Sequence, residues 1–169
     1  MGELAPFDPY AVLAALERRR VSYIVVGSFA RVVRGAEELP DGIALVPSSR
    51  IENLRRLERA LIDLGAASAD GQPLSLGEDT LARDAIVELM SPHGELKLVS
   101  EPAGTRGYDD LRRAATREYL GRGLRPSIAS TGDLARMLGA LLGSREQDFS
   151  KLHGLRRVAE LERSLGLDL

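Results

Sequence analysis

The chain has 169 residues and a mass of 18.3 kDa, enough for one domain that buries a sizeable core. Its 23 basic and 25 acidic residues nearly cancel, so neither a basic nucleic-acid arm nor an acidic tail dominates. With no cysteine, disulfides, thiolate zinc sites and cysteine nucleophiles are all excluded, and the two isolated histidines, His93 and His153, speak against a histidine-rich metal site. No apolar run approaches the roughly 20 residues of a membrane span. No basic-then-apolar leader opens the chain. The expectation is a soluble cytoplasmic protein with no membrane partner. Lys97 and Lys151 are the only lysines; every other base is arginine.

In chain order, Asp8 as N-cap and Pro9 at the first helical position open a helix from Asp8 to Arg20. Val12, Leu13 and Leu16 share one face of it. Ser22 to Gly27 is a β-branched apolar run ending at Gly27-Ser28, the pattern of a buried strand. A short helix from Phe29 to Arg34 follows, then a strand from Gly42 to Val46 closed by Pro47. Ser49 is expected to cap an amphipathic helix, Ile51 to Leu64, that Gly65 stops. The stretch from Ala66 to Asp84 reads mostly as loop. Ala85 to Met90 and Glu95 to Ser100 read as a hairpin around Ser91-Pro92-His93-Gly94. Tyr108 to Arg117 reads as helix, and Tyr119 to Ile128 as irregular or a short edge strand. Two helices, Thr131 to Leu142 and Asp148 to Leu165, end the chain. The fold class is α/β (α+β): a mixed sheet of four to six strands flanked by helices, with a C-terminal helical pair. Residues 1–128 form the core, and 129–169 a helical segment packed on it as one unit.

The junction at Gly27-Ser28 is the most informative local feature. A glycine at a strand end lets backbone approach a ligand, and N–H groups opening a helix can hold phosphate. Alone, it reads equally well as a tight turn needing a small residue. Thirteen residues then separate Ser28 from Gly42, where the string Gly42-Ile43-Ala44-Leu45-Val46-Pro47 begins. Further on come Gly94 to Pro102 and the run Gly104-Thr105-Arg106-Gly107-Tyr108-Asp109-Asp110-Leu111. From about Val21 to Leu152 this order resembles the minimal nucleotidyltransferase fold, in the branch of small abortive-infection and toxin–antitoxin nucleotidyltransferases.

The resemblance implies a specific chemistry. In that family a strand ending in Gly-Gly or Gly-Ser is followed by one carrying Asp-x-Asp, and a third Asp sits on a later strand. Asp-x-Asp on a strand puts both carboxylates on one face, because side chains alternate. The three acids hold magnesium, which neutralises the triphosphate and orients the attacking oxygen. Here the corresponding positions fall on Gly42, Ala44 and Lys97. Glycine and alanine offer no ligand, and an ammonium repels the metal. Shifting the frame to Asp41 puts Ile43 at its same-face partner, so no pair is restored and the strand's apolar set turns the wrong way. Glu37, Glu38 and Asp41 read as solvated loop acids. In the C-terminal region, where the family carries a lysine and a Lys-Asp pair, this chain has Leu138 and Gln147-Asp148.

The expectation is therefore a nucleotidyltransferase-like domain with no catalytic residues and no metal or cofactor. It acts by binding a protein partner, a second copy of itself, or a nucleotide or RNA. Gly27, Ser28 and Lys97 are the candidate phosphate-binding residues, with Lys97 paired to Glu95 as the plainer reading. The alternative is an active enzyme using magnesium and a nucleoside triphosphate to modify RNA, protein or a small molecule, through acids placed elsewhere. Two or more carboxylates close around the Gly27-Ser28 turn would favour it. His93 and His153 read as ordinary surface histidines, and Ser28 lacks a base that would make it a nucleophile. The arginine clusters at 18–20, 55–59, 112–117 and 156–157 read as solvated helix faces paired with neighbouring acids. Three phenylalanines and four tyrosines supply few platforms for stacking bases. The leucines of the last two helices read as core, with an excess that suits a dimer or partner.

Overall fold

In the computed structural model, residues 6–40, 42–68, 70–71, 74–77, 81, 86–141 and 146–165 are described. Helix α1 (Pro9–Arg18) starts as its sequence dictates, with the Asp8 carboxylate accepting from the N–H groups of Tyr10 and Ala11 at 3.1 and 3.2 Å. Val12, Leu13, Ala15 and Leu16 are buried on its inner face. Strand β1 (Tyr23–Val26) is buried at every residue and leads directly into α2 (Gly27–Val33). Strand β2 (Gly42–Pro47) runs antiparallel to β1, pairing Tyr23 with Pro47 and Val26 with Ala44.

Helix α3 (Ile51–Asp63) lacks the expected serine cap: Arg50 stands at its N-cap and makes no side-chain cap hydrogen bond. The entry is held from inside the helix instead. The Asn53 amide donates to the carbonyls of Ser22 and Ser48, and its oxygen accepts from the Ser22 N–H at 2.7 Å. That buried amide ties the starts of β1 and α3 together. At the helix end, Arg19 of the α1 turn pairs with Asp63 through two hydrogen bonds.

The predicted loop contains a two-residue strand, β3 (Ala67–Ser68), and then the hairpin of β4 (Ile86–Ser91) and β5 (Gly94–Val99). Ser91 pairs with Gly94 across the turn, and its hydroxyl donates to the Gly94 carbonyl. The expected helix from Tyr108 to Arg117 is only one turn long, α4 (Tyr108–Leu111), followed by β6 (Thr116–Arg117). Strand β7 (Ser127–Ile128) is interior, between β1 and β6, so β6 and not the Tyr119–Ile128 stretch forms the sheet edge. Arg34 accounts for both departures. Its guanidinium donates to the Ile128 and Ala129 carbonyls, the Thr116 hydroxyl and the Glu118 carboxylate, holding α2 against two short strands that have little ladder of their own.

The result is a seven-stranded mixed sheet in the order β3-β4-β5-β2-β1-β7-β6, wider than the four to six strands expected because three strands have only two residues. Helices α5 (Thr131–Leu141) and α6 (Glu146–Ser164) complete the chain. Leu134, Met137 and Leu138 of α5 and Leu152 and Leu155 of α6 join the same core as the sheet. Leu141, Leu161 and Leu165 stay exposed. Among the described residues no helix is long and apolar enough to cross a membrane.

Candidate functional site

The pleat of the central strands sorts their side chains onto two faces. Ile43 and Leu45 of β2, Leu96 and Leu98 of β5 and Leu89 of β4 are buried on one face. Gly42, Ala44, Glu95, Lys97 and Glu88 lie on the other. The parallel ladder sets Gly42 beside Glu95 and Ala44 beside Lys97, and the hairpin sets Glu88 opposite Lys97.

The turn that opens α2 stands over this second face. Gly27 has φ +75°, a left-handed conformation that favours glycine, and a Cβ built on it would lie 3.2 Å from the Ala44 Cβ. Val26, Ala44 and Lys97 therefore form one row across β1, β2 and β5, with Gly27 packed over Ala44 at the head of α2 and Ser28 following it. Gly42 lies one pleat away and is tightly enclosed. A Cβ there would lie 2.5 Å from the Glu95 carbonyl oxygen and 3.0 Å from the Glu95 Cβ. The neighbouring strand fills the space a longer side chain would need.

Lys97 is exposed and makes no ion pair within 4 Å among the described residues, so the expected pairing with Glu95 does not form. Residues two apart on a strand are separated by about 7 Å along the chain, and each here faces a different cross-strand neighbour. Glu38 also departs from expectation. It is not a solvated loop acid: its carboxylate takes two hydrogen bonds from Arg31, at 2.7 and 2.9 Å, and both side chains are only 11% exposed. Lys151 of α6 approaches the same carboxylate at 3.8 Å. A desolvated acid needs such partners, and the bidentate guanidinium supplies them. Glu37 is exposed, and Asp41 lies outside the described residues.

These residues do not fit a magnesium ion. Magnesium takes near-octahedral oxygen ligands at about 2.1 Å, and Gly42, Ala44 and Lys97 offer none. Among the described residues, no three His, Cys, Asp or Glu side chains gather where they could hold a metal. The histidines are likewise separate: His93 lends its carbonyl to the Asp8 N–H at 2.9 Å, and His153 is exposed on α6. Leu138 is buried in the core, while the side chains of Gln147 and Asp148 lie outside the described residues.

Sequence reasoning missed the buried arginines of α2. The signal was present in Phe29-Ala30-Arg31-Val32-Val33-Arg34, since a base inside an apolar segment requires a partner when the segment is buried. It also missed two polar cavities, of about 510 and 410 Å3, at the opposite end of the sheet from Gly27. Tyr108 of α4 lines both. The first includes Ser48, Arg50 and Arg106, and Ser100, whose buried hydroxyl has no partner among the described residues. The second includes Arg20, Tyr23, Arg117 and Arg125.

No protein-family profile matches the chain, and no curated protein matches it in sequence. Solved structures do. The solution structure of the antibiotic-resistance factor ANT(2'')-Ia superposes with a TM-score of 0.60 at 14% identity, covering 93% of this chain and 88% of that one. A crystal structure of ANT(2'')-Ia with adenylyl-2''-tobramycin superposes equally well, at 13% identity over 95% and 92% of the two chains. The lincosamide antibiotic adenylyltransferase LnuA, bound to lincomycin, gives 0.57 at 14% identity over 89% of this chain and 95% of that one. The order of strands and helices is thus one this chain shares with known nucleotidyltransferases: its fold is the nucleotidyltransferase fold.

Proposed function

We propose that this chain is a nucleotidyltransferase-like protein, of the abortive-infection and toxin–antitoxin type, that does not carry out metal-dependent nucleotidyl transfer and acts by binding. The observation that carries this reading is the enclosure of Gly42 by the Glu95 carbonyl. A position that has merely lost a carboxylate keeps room for one, whereas this position has closed. Lys97, with its uncompensated ammonium, adds repulsion where the resemblance requires a metal ligand.

The same row favours a nucleotide phosphate, held without metal, as the ligand. The Gly27 turn packs against one side of Ala44 and Lys97 stands beside it on the other. Strands lie about 4.8 Å apart, so β1 and β5 are separated by about 10 Å, and the flexible lysine has to lean over Ala44 to reach a phosphate at the turn. Alanine is small enough to allow this. Isothermal titration with each nucleoside triphosphate, with and without magnesium, tests the reading, alongside transfer of labelled nucleotide to RNA, to protein and to aminoglycoside or lincosamide acceptors. Metal-independent binding that weakens in Lys97→Ala and no transfer are expected. Magnesium-dependent tight binding, or any labelled product, overturns it and restores the active-enzyme alternative.

A further inference from the structure

The second cavity lies at the far end of β1, across the sheet from the Gly27 row, and has a charge imbalance of its own. Arg20, Arg117 and Arg125 line it together with a single acid, Glu17. None of the three arginines forms an ion pair within 4 Å among the described residues. Glu17 is engaged elsewhere, accepting from the backbone N–H of Arg125 at 3.0 Å. Tyr23 also lines the cavity. It is 7% exposed, yet its hydroxyl is buried with no hydrogen-bond partner among the described residues. Buried hydroxyls are ordinarily satisfied, and leaving one unpaired costs about 1–3 kcal/mol, so this one invites a ligand.

The backbone at Arg20 is a second, independent anomaly. Helix α1 ends in a Schellman turn, with the Val21 N–H donating to the Leu16 carbonyl and the Arg20 N–H to that of Glu17. That turn puts Arg20 at φ +55°, the left-handed position where helices ordinarily place glycine. The chain accepts the strain of a side chain at this position, and the side chain it keeps there lines the cavity.

We infer that this cavity is a phosphate-binding site, in which Arg20, Arg117 and Arg125 hold the oxygens of a phosphate dianion and the Tyr23 hydroxyl, buried beneath them, donates to it once the side chains that cover it rearrange. Three guanidinium groups and a phenol present more donors than the two oxygens of a carboxylate accept, and they suit the tetrahedral oxygens of phosphate. Burial, reinforced by the Glu17 carboxylate and opposed by Arg117, raises the phenol above its ordinary range, so it keeps its proton to donate. At about 410 Å3 the cavity has room for more than a bare phosphate, and is of a size that takes small phosphomonoesters.

Titration of the full chain with inorganic phosphate, ribose 5-phosphate and, as a phosphate-free control, ribose tests the site. Binding of either phosphate probe but not of ribose is expected. Tighter binding of ribose 5-phosphate identifies a phosphomonoester as the ligand, and equal binding identifies free phosphate. Arg117→Ala combined with Arg125→Ala is expected to weaken binding tenfold or more. Tyr23→Phe, which removes only the hydroxyl, is expected to weaken it about fivefold, as for one lost hydrogen bond. Arg20→Gly is expected to weaken binding while raising the melting temperature, an opposition that loss of structure cannot produce. The titrations are run in the Lys97→Ala background, so that phosphate held at the Gly27 row does not contribute and failure here is distinct from failure there. Absence of binding by both phosphate probes overturns the assignment, as does affinity that survives the double arginine variant. Binding of a single-stranded RNA in their place, dependent on the same arginines, also overturns it, in favour of a phosphodiester surface.

Discussion

Replacing Gly42 with alanine separates two effects of opposite sign. Gly42 does not have a positive φ, so alanine is conformationally allowed, and on chain entropy alone Gly→Ala stabilises by about 0.4–1 kcal/mol. Against this, the new Cβ falls 2.5 Å from the Glu95 carbonyl oxygen and 3.0 Å from the Glu95 Cβ. The contact is with backbone, and β2 is laddered to β1 on its other side, so neither strand moves away without stretching hydrogen bonds. Overpacking of this kind costs about 1–3 kcal/mol. The clash wins, and the net destabilisation is about 1–2 kcal/mol. For a chain of this size that lowers the melting temperature by about 2–8 °C. Differential scanning calorimetry of wild type and Gly42→Ala measures it directly, with Ala44→Ser as a control. An unchanged or higher melting temperature in Gly42→Ala refutes the idea that the first carboxylate position has closed, and with it the main support for a non-catalytic reading.

Other substitutions probe the charges around the same turn. Ala44→Asp combined with Lys97→Asp, which leaves Gly42 alone, is expected to gain no magnesium-dependent rise in melting temperature, because two carboxylates on neighbouring strands still lack the third. Glu38→Gln leaves the buried Arg31 guanidinium without its counter-charge and is expected to cost about 3 kcal/mol in a denaturant titration. A loss below about 1 kcal/mol would show the pair to be solvent-screened. Glu118 sits below the ordinary carboxylate range, first because the Thr116 hydroxyl donates to it and then because Arg34 does. A lowered native value stabilises the fold above the unfolded value of about 4.5, and this contribution is lost as pH falls from there through the native value. The stability gap between wild type and Glu118→Gln is therefore expected to narrow below about pH 4.5, and a gap that is flat with pH argues against the contact.

The parts of the fold legible in sequence were those written by local rules. Asp8-Pro9 marked α1, the apolar run from Tyr23 to Val26 marked a central strand, and Pro92-His93 between alternating runs marked the hairpin. Long-range contacts were not legible. Ser49 looked like a cap because it precedes an amphipathic helix, but the amide of Asn53, inside that helix, does the work by reaching back to Ser22. Thr116 and Ile128 sit in strands of two residues, too short for any periodicity, and are held by an arginine more than 80 residues earlier. At the site, alternation put Gly42 and Ala44 on one face of β2, and the pairing of β2 with β5 sets Lys97 beside Ala44 on that face. What spacing could not show was the distance from Gly42 to the Glu95 carbonyl, which is set by strand twist and not by residue type.

The charges near the turn belong together as one arrangement. Of the acids that precede Gly42 in sequence, Glu38 has its carboxylate bound by Arg31 and approached by Lys151. Freeing it for a metal would leave Arg31 buried and unpaired, a cost of several kcal/mol that a single weak carboxylate–magnesium contact does not recover. On the other side of the row, Lys97 is free of any counter-ion within 4 Å among the described residues. Glu38 is thus neutralised internally, while the exposed Lys97 shares its face of the sheet with Glu88 and Glu95. The internal pairing of Glu38 and the exposed ammonium of Lys97 support the proposed binding role beside the closure at Gly42.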